Sequence, residues 1–75
     1  MRNVLVRVFD SGGHPVSNAR IGIEVFNPGG ILPNKYTNSN GEAEFDLDYS
    51  ELAVYVNGYE KVRRGSTQGS YRIEL

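Results

Sequence analysis

One short stretch of alternating residues constrains the fold of this chain more than any other feature. From Glu42 to Leu47, every second residue is apolar and every intervening residue is acidic. This period predicts a β-strand with one buried side and one side facing solvent. The preceding Asn40-Gly41 pair favours positive φ at both positions of a tight turn. We therefore predict that residues 36–45 form a hairpin that sets the strand register of the domain.

The same alternation, interrupted by Gly, Pro, Asn and Ser, recurs along the rest of the chain. Further strands are predicted at residues 3–10, 19–26, 35–37, 52–56, 59–63 and 71–75. No window carries helical spacing of apolar residues for more than one turn. Residues 48–51 form a connection, with a single helical turn as the alternative. The pattern predicts an all-β fold of about seven short strands, arranged as a β-sandwich.

The alternation also assigns the faces of these strands. Tyr59 and Phe45 are expected to anchor the core, and Tyr71, Ile73 and Leu75 to form the buried face of the last strand. Residues 3–10 are apolar on both faces, which indicates a central strand or a covered outer face. Gly22, in the middle of a strand, indicates a bulge or a close approach by another group. Each buried face is expected to lie in one shared core.

Length and charge exclude several classes of protein. The 75 residues form one domain, 1–75, without cysteine, and the net charge is −1. We expect no membrane insertion, because no apolar run approaches the ~20 residues of a membrane helix. The first residues read as a strand and carry no signal peptide. The expected location is the cytoplasm if the chain is full-length; otherwise the domain is a module of an exported protein.

Residues that could support catalysis or metal binding are scarce. His14 is the only histidine, lies in a turn-rich loop and has no nearby partner for a catalytic triad. The loop after Asn38 lacks the first aspartate and the final glutamate of a calcium loop. Asp46 and Asp48 are expected to be solvated. The sequence therefore predicts no enzyme activity, no cofactor and no metal site.

Three segments together resemble a known family. Gly13–Ile21, Thr37–Phe45 and Asn57-Gly58-Tyr59 resemble, in order and spacing, motifs of transthyretin-like, carboxypeptidase-regulatory-like domains. The resemblance implies a seven-stranded Greek-key sandwich of the prealbumin type, and such domains are usually non-catalytic. The lysines, Lys35 and Lys61, are not where related adhesin repeats form isopeptide crosslinks. The histidines and terminal motif of the related hydrolases are also missing.

Two functional hypotheses remain open. The first is a structural or protein-interaction module that binds a partner protein or itself. The second is an accessory module that binds carbohydrate through two or three exposed aromatic rings on one face. Nucleic acid is not an expected partner, because the charge is balanced and acidic residues interrupt the basic cluster formed by Lys61, Arg63, Arg64 and Arg72.

The candidate interaction surface follows from the resemblance, which implies that residues 19–26 lie beside residues 52–56. The outward residues would then be Arg20, Gly22, Glu24, Phe26 and Tyr55. A ring that lies over a cross-strand glycine covers exposed backbone, so the alternative is that Tyr55 only shields Gly22. An apolar patch with charges at its rim is typical of a contact surface. The loop residues Ile31 and Leu32 are a second candidate.

Overall fold

The computed structural model describes residues 2–75 and shows an all-β chain of two sheets. The eight strands are β1 (Arg2–Phe9), β2 (Arg20–Val25), β3 (Gly30–Ile31), β4 (Lys35–Tyr36), β5 (Glu42–Leu47), β6 (Glu51–Val56), β7 (Tyr59–Ser66) and β8 (Ser70–Glu74). Residues 2–75 contain no helix. The predicted all-β class is confirmed, and the alternative of a helical turn at 48–51 is wrong.

The smaller sheet has three strands in the order β5-β1-β8. Its central strand, β1, pairs antiparallel with β5 and parallel with β8. The larger sheet has five strands. β2 pairs with β6 on one side and with both short strands, β3 and β4, on the other, and β7 continues the sheet beyond β6. The count exceeds seven because residues 30–31 turn back and pair with β2.

The alternating apolar residues of both sheets meet in one core. Ile21 and Ile23 of β2 and Val4, Val6 and Val8 of β1 are completely buried. Phe45 is also buried, as predicted, at 3% exposure. Side chains on the inner faces of two stacked sheets exclude water from each other, which is the main stabilising term for such a fold.

The predicted hairpin at residues 36–45 is wrong. β4 pairs with β2 in the larger sheet and β5 pairs with β1 in the smaller one, so this turn connects two sheets. Gly41 has the expected positive φ of 75°, but Asn40 does not. The carboxamide oxygen of Asn38 instead accepts hydrogen bonds from the backbone N–H groups of Asn40 and Glu42. Two backbone bonds add to these, from the Gly41 N–H to the Asn38 carbonyl and from the Asn38 N–H to the Glu42 carbonyl, and together they close a turn without a hairpin.

The second Asn-Gly pair does form a hairpin. Asn57 and Gly58 have φ values of 52° and 89° and join β6 to β7. Two left-handed residues match the twist of antiparallel strands, which is why Asn-Gly is favoured here. Asn57 also bonds to the neighbouring strand, because its N–H donates to the Arg20 carbonyl and its side-chain oxygen accepts from the Arg20 N–H.

Two residues predicted to be core lie at the surface. Tyr59 is 72% exposed and Leu75 is 44% exposed. β7 is the outermost strand of the larger sheet, and in it only Val62 is partly buried. The three-stranded sheet is too narrow to cover the five-stranded one, so β7 has solvent on both faces. Tyr71 and Ile73 do pack in or against the core, as predicted.

Candidate interaction surface

The candidate surface is the outer face of the five-stranded sheet, which points away from the core. Its side chains come from alternate positions of β2 and from the residues directly opposite them on β3, β4 and β6. They are Arg20, Gly22, Glu24, Ile31, Tyr36, Ala53 and Tyr55. Residues opposite each other on antiparallel strands project from the same face, so the register alone brings these seven together.

A groove of about 400 Å³ lies over Gly22. Gly22 is directly opposite Tyr55, and the β2–β6 pairing is regular there, so the glycine marks a close approach and not a bulge. A Cβ at Gly22 would lie 3.3 Å from Oδ1 of Asn34 and 3.7 Å from Cβ of Tyr55. The groove is lined by Arg20, Gly22, Ile23, Glu24, Ile31, Asn34, Tyr55 and Gly58. Any side chain at Gly22 would fill its floor.

One wall of the groove is fixed by a hydrogen bond. The Tyr55 hydroxyl donates to Oε1 of Glu24 over 3.1 Å. This bond to a carboxylate, followed by partial desolvation, raises the pKa of the Tyr55 phenol above its ordinary value of 10.0. The bond ties the end of the Tyr55 ring to Glu24, and both residues line the groove over Gly22.

The other end of the groove carries a positive charge. Among residues 2–75, no side chain forms an ion pair or hydrogen bond with the Arg20 guanidinium. Its Nη2 would lie 3.3 Å from a Cβ at Gly58, which places it over the Asn57-Gly58 turn. The groove therefore has an uncompensated cation at one end and the Glu24 carboxylate at the other.

Phe26 does not join this surface in the way that the sequence suggested. It follows the end of β2, and the Arg64 guanidinium lies 4.1 Å from the centre of its ring. The same guanidinium bonds to Glu51 at 2.7 Å. Phe26 is therefore covered by a cation and does not line the groove.

The two residues of the second candidate loop, Ile31 and Leu32, lie in different places, one at the surface and one against the core. Ile31 is 77% exposed and lines the groove, so it joins the same surface as Arg20 and Tyr55. Leu32 packs against the core, and its N–H donates to the Ile23 carbonyl. The two candidate sites from the sequence thus share one location, with Ile31 included and Leu32 turned inward.

Sequence reasoning missed Tyr36 and Asn34. Tyr36 is 60% exposed and lies directly opposite Arg20, on the outer face. Asn34 lies in the gap between β3 and β4, above Gly22. Both positions depend on the pairing of two-residue strands with β2, and strands this short leave no alternation to read.

The residues that the sequence offered for catalysis or metal binding lie in structural contacts. His14 is an exposed loop residue, and the Asp10 carboxylate accepts hydrogen bonds from the N–H groups of Gly12 and His14. The bond from His14 is the main reason that the pKa of Asp10 is lowered. Residues 2–75 contain no group of three or more side chains suited to a metal ion. The described chain also has no helix that is long and apolar enough to cross a membrane.

Comparison with known proteins assigns no family to the chain. No protein-family model matches it, and the search of curated proteins finds no similar sequence.

Proposed function

We propose that this chain is a non-catalytic protein-interaction module that uses the outer face of the five-stranded sheet. The observation that carries the proposal is Ile31, an aliphatic side chain 77% exposed at the rim of an open groove. Water contact with so much apolar surface is unfavourable. Apolar surface beside a concavity, with charge at the rim, is what a protein partner buries.

The composition of the groove supports a protein partner over carbohydrate. A sugar platform would need two or three exposed rings on one face. Of the two tyrosines that the described strands place on this face, Tyr36 is exposed, whereas Tyr55 is half-buried. Its hydroxyl is already bonded to Glu24. Tyr36 is on the same face but lies outside the lining, beyond Arg20. An apolar floor between opposite charges suits a polypeptide surface with its own alternating side chains.

The same proposal includes the finer fold assignment, a Greek-key sandwich of the transthyretin-like type. Two features support it: the two stacked sheets, and the antiparallel pairing of β2 with β6, the strand at residues 51–56. The resemblance of the Asn57-Gly58-Tyr59 step to that family agrees with its place in the β6–β7 hairpin.

A photo-crosslinking amino acid at position 31 tests the proposed surface. Tyr59 provides a matched control position, because it is similarly exposed at 72% but lies directly opposite the buried Val56, so it projects from the other face of the sheet. In extract of the source cells and with the purified chain, we expect adducts to a protein from position 31 and background labelling from position 59. Adding Gly22→Val, which fills the groove, should remove the adducts.

Equal labelling from both positions would contradict the proposal, as would adducts from position 31 that survive Gly22→Val. Oligosaccharides that displace the adducts would favour the carbohydrate-binding alternative instead.

A further inference from the structure

We propose that the partner of this surface is a second copy of the chain, bound face to face about a two-fold axis that runs across β2 at Gly22. This inference rests on the proposed function and adds the identity and orientation of the partner. The order of charges along β2 and the two exposed apolar side chains beside that strand support it.

The charges on β2 are arranged symmetrically about Gly22. Arg20 lies two residues before the glycine and Glu24 two residues after it, on the same face. A two-fold axis across the strand reverses the direction of the second copy. Arg20 of each copy then faces Glu24 of the other, and the two glycines face each other. A single strand thus supplies both members of two identical ion pairs.

The charges also exclude the other simple arrangement. Two stacked sheets can be related by a two-fold axis across the strands or by one along them. An axis along β2 would put Arg20 opposite Arg20 and Glu24 opposite Glu24. Like charges in contact are unfavourable, and Arg20 has no compensating partner among residues 2–75. The isologous contact that remains is the one in which each pair is of opposite sign.

The short strands beside β2 follow the same symmetry. Ile31 lies next to Glu24 and Tyr36 lies next to Arg20, both on the side of β2 away from β6. The axis that brings Arg20 to Glu24 therefore also brings Ile31 of each copy to Tyr36 of the other. These are two of the four large apolar side chains that are exposed in residues 2–75. One operation covers both of them.

The glycine permits the close approach that this contact needs. Stacked sheets pack about 10 Å apart when their facing side chains interdigitate. With no side chain at Gly22, the groove can admit residues from the facing sheet. On the β6 side, the axis places the two Tyr55 rings opposite each other. The centre of the contact, where the two glycines face each other, is therefore open, and longer side chains surround it.

The size of the face sets the expected strength. Three strands about 4.8 Å apart and about five residues long give a face of roughly 240 Å² before side chains are added. The dimer would therefore bury less than the ~1,200 Å² found in stable complexes. We expect a weak dimer, with a dissociation constant between about 10 µM and 1 mM.

Sedimentation equilibrium of the purified chain, at concentrations that bracket this range, tests the proposal through reversal of the charges. Arg20→Glu and Glu24→Arg should each weaken self-association by about tenfold or more, because each creates two like-charge contacts. Mixed in equal amounts, the two variants should associate again, since each then meets the opposite charge at both positions. Circular dichroism and thermal unfolding check that both variants remain folded.

The control mixture combines Arg63→Glu and Glu44→Arg, which make the same changes in net charge at exposed positions outside the surface. Neither control variant should alter association. The proposal is wrong if the wild type remains monomeric up to about 1 mM, if both charge reversals still self-associate, or if mixing them restores nothing. A monomeric wild type that still labels another protein from position 31 would overturn the dimer and leave the proposed function standing.

Discussion

The two sheets of this protein present outer faces of different character. On the three-stranded sheet, the outward arginines, Arg7 and Arg72, pair with acidic residues of the same chain. Arg7 pairs with Glu42 directly across the β1–β5 ladder, at 3.3 Å. The Arg72 guanidinium lies 4.0 Å from the centre of the Phe9 ring and also pairs with Glu74. The polar groups of such a face bond to one another or to solvent, so the face needs no partner molecule.

The part of the five-stranded sheet's outer face around Gly22 is not matched in this way, although Arg64 and Glu51 form an ion pair farther along β7 and β6. Arg20 has no charged partner among residues 2–75, and Ile31 and Tyr36 expose apolar surface on the side of β2 away from β6. Both faces belong to strands with the same alternating pattern. The difference shows that alternation indicates which side chains point outward. The neighbours across the strands decide whether the charged and apolar groups of that face find partners within the chain.

The buried side of the smaller sheet should be the most sensitive to truncation. Phe45→Ala removes a ring that is 3% exposed from the shared core and should lower the free energy of unfolding by about 3–5 kcal/mol. The cause is lost burial together with the cavity that remains. Tyr59→Ala is the control: at 72% exposure it should change stability by less than about 0.5 kcal/mol. Denaturant unfolding of the two variants measures the contrast, and equal midpoints would contradict it.

The connection between the sheets should be the next most sensitive. Gly41 and Gly13 both have positive φ, of 75° and 81°. Valine at either position should cost about 1–2 kcal/mol in backbone strain. At Gly41 a Cβ would also lie 2.7 Å from the Val8 carbonyl oxygen, whereas at Gly13 nothing lies within 4 Å. Gly41→Val should therefore be less stable than Gly13→Val by about 1–3 kcal/mol. Equal melting temperatures would show that the β4–β5 connection can move away.

The charges of the two outer faces should respond differently to removal. Arg7→Ala deletes an exposed cross-strand pair and should lower stability by a few tenths to about 1 kcal/mol. Arg20→Ala should leave the unfolding free energy of the dilute chain unchanged, since no ion pair is lost. Thermal unfolding at low protein concentration compares them. A larger loss from Arg20→Ala than from Arg7→Ala would mean that Arg20 stabilises the fold itself.

The smallest expected effect is a shift in the titration of Tyr55. Glu24→Gln should bring the Tyr55 pKa down toward its ordinary value, because the bond to the Glu24 carboxylate is the main cause of its rise. Glu60→Gln should lower it less, since Glu60 is the weakest of the causes. Carbon NMR of the ring, with pH, follows this phenol separately from the other tyrosines. An unchanged pKa in Glu24→Gln would mean that the bond to Glu24 is not what raises it.

The same shift gives a pH dependence of stability with a definite sign. The Tyr55 pKa is raised in the folded chain, so the folded state favours the protonated phenol. Its contribution is therefore fully present below the unfolded pKa of about 10 and is lost as the pH rises through the folded value. Glu24→Gln should be less sensitive to pH in that alkaline range than the wild type.

Much of the fold could be predicted from local pattern. The alternation in β1, β2, β5 and β6 identified these strands, and in β2, β5 and β6 also their buried faces, because a period of two fixes which side chains share a side. The Asn57-Gly58 turn could be predicted equally well, since both its residues need positive φ. Asn40-Gly41 has the same two residues, but Asn38 closes that turn through both its side chain and its backbone, and the two flanking strands lie in different sheets.

Only part of the candidate site could be predicted from the sequence. Arg20, Gly22, Glu24 and Tyr55 could be grouped from alternation and one assumed strand pairing. That Ile31 belongs to the site and Phe26 does not follows only from contacts between residues far apart in the chain.

By itself, the sequence determined that the chain is all-β, which residues of β2, β5 and β6 face inward, and where the Asn57-Gly58 turn lies. These properties follow from backbone geometry over a few residues. Tertiary structure alone decided that β3 and β4 flank β2, that Tyr59 is exposed beyond the narrower sheet, and that Ile31 and Tyr36 lie beside the Gly22 groove. The physical reason is that strand partners are chosen by long-range packing, and a two-residue strand carries no periodic signal of the neighbour it will meet.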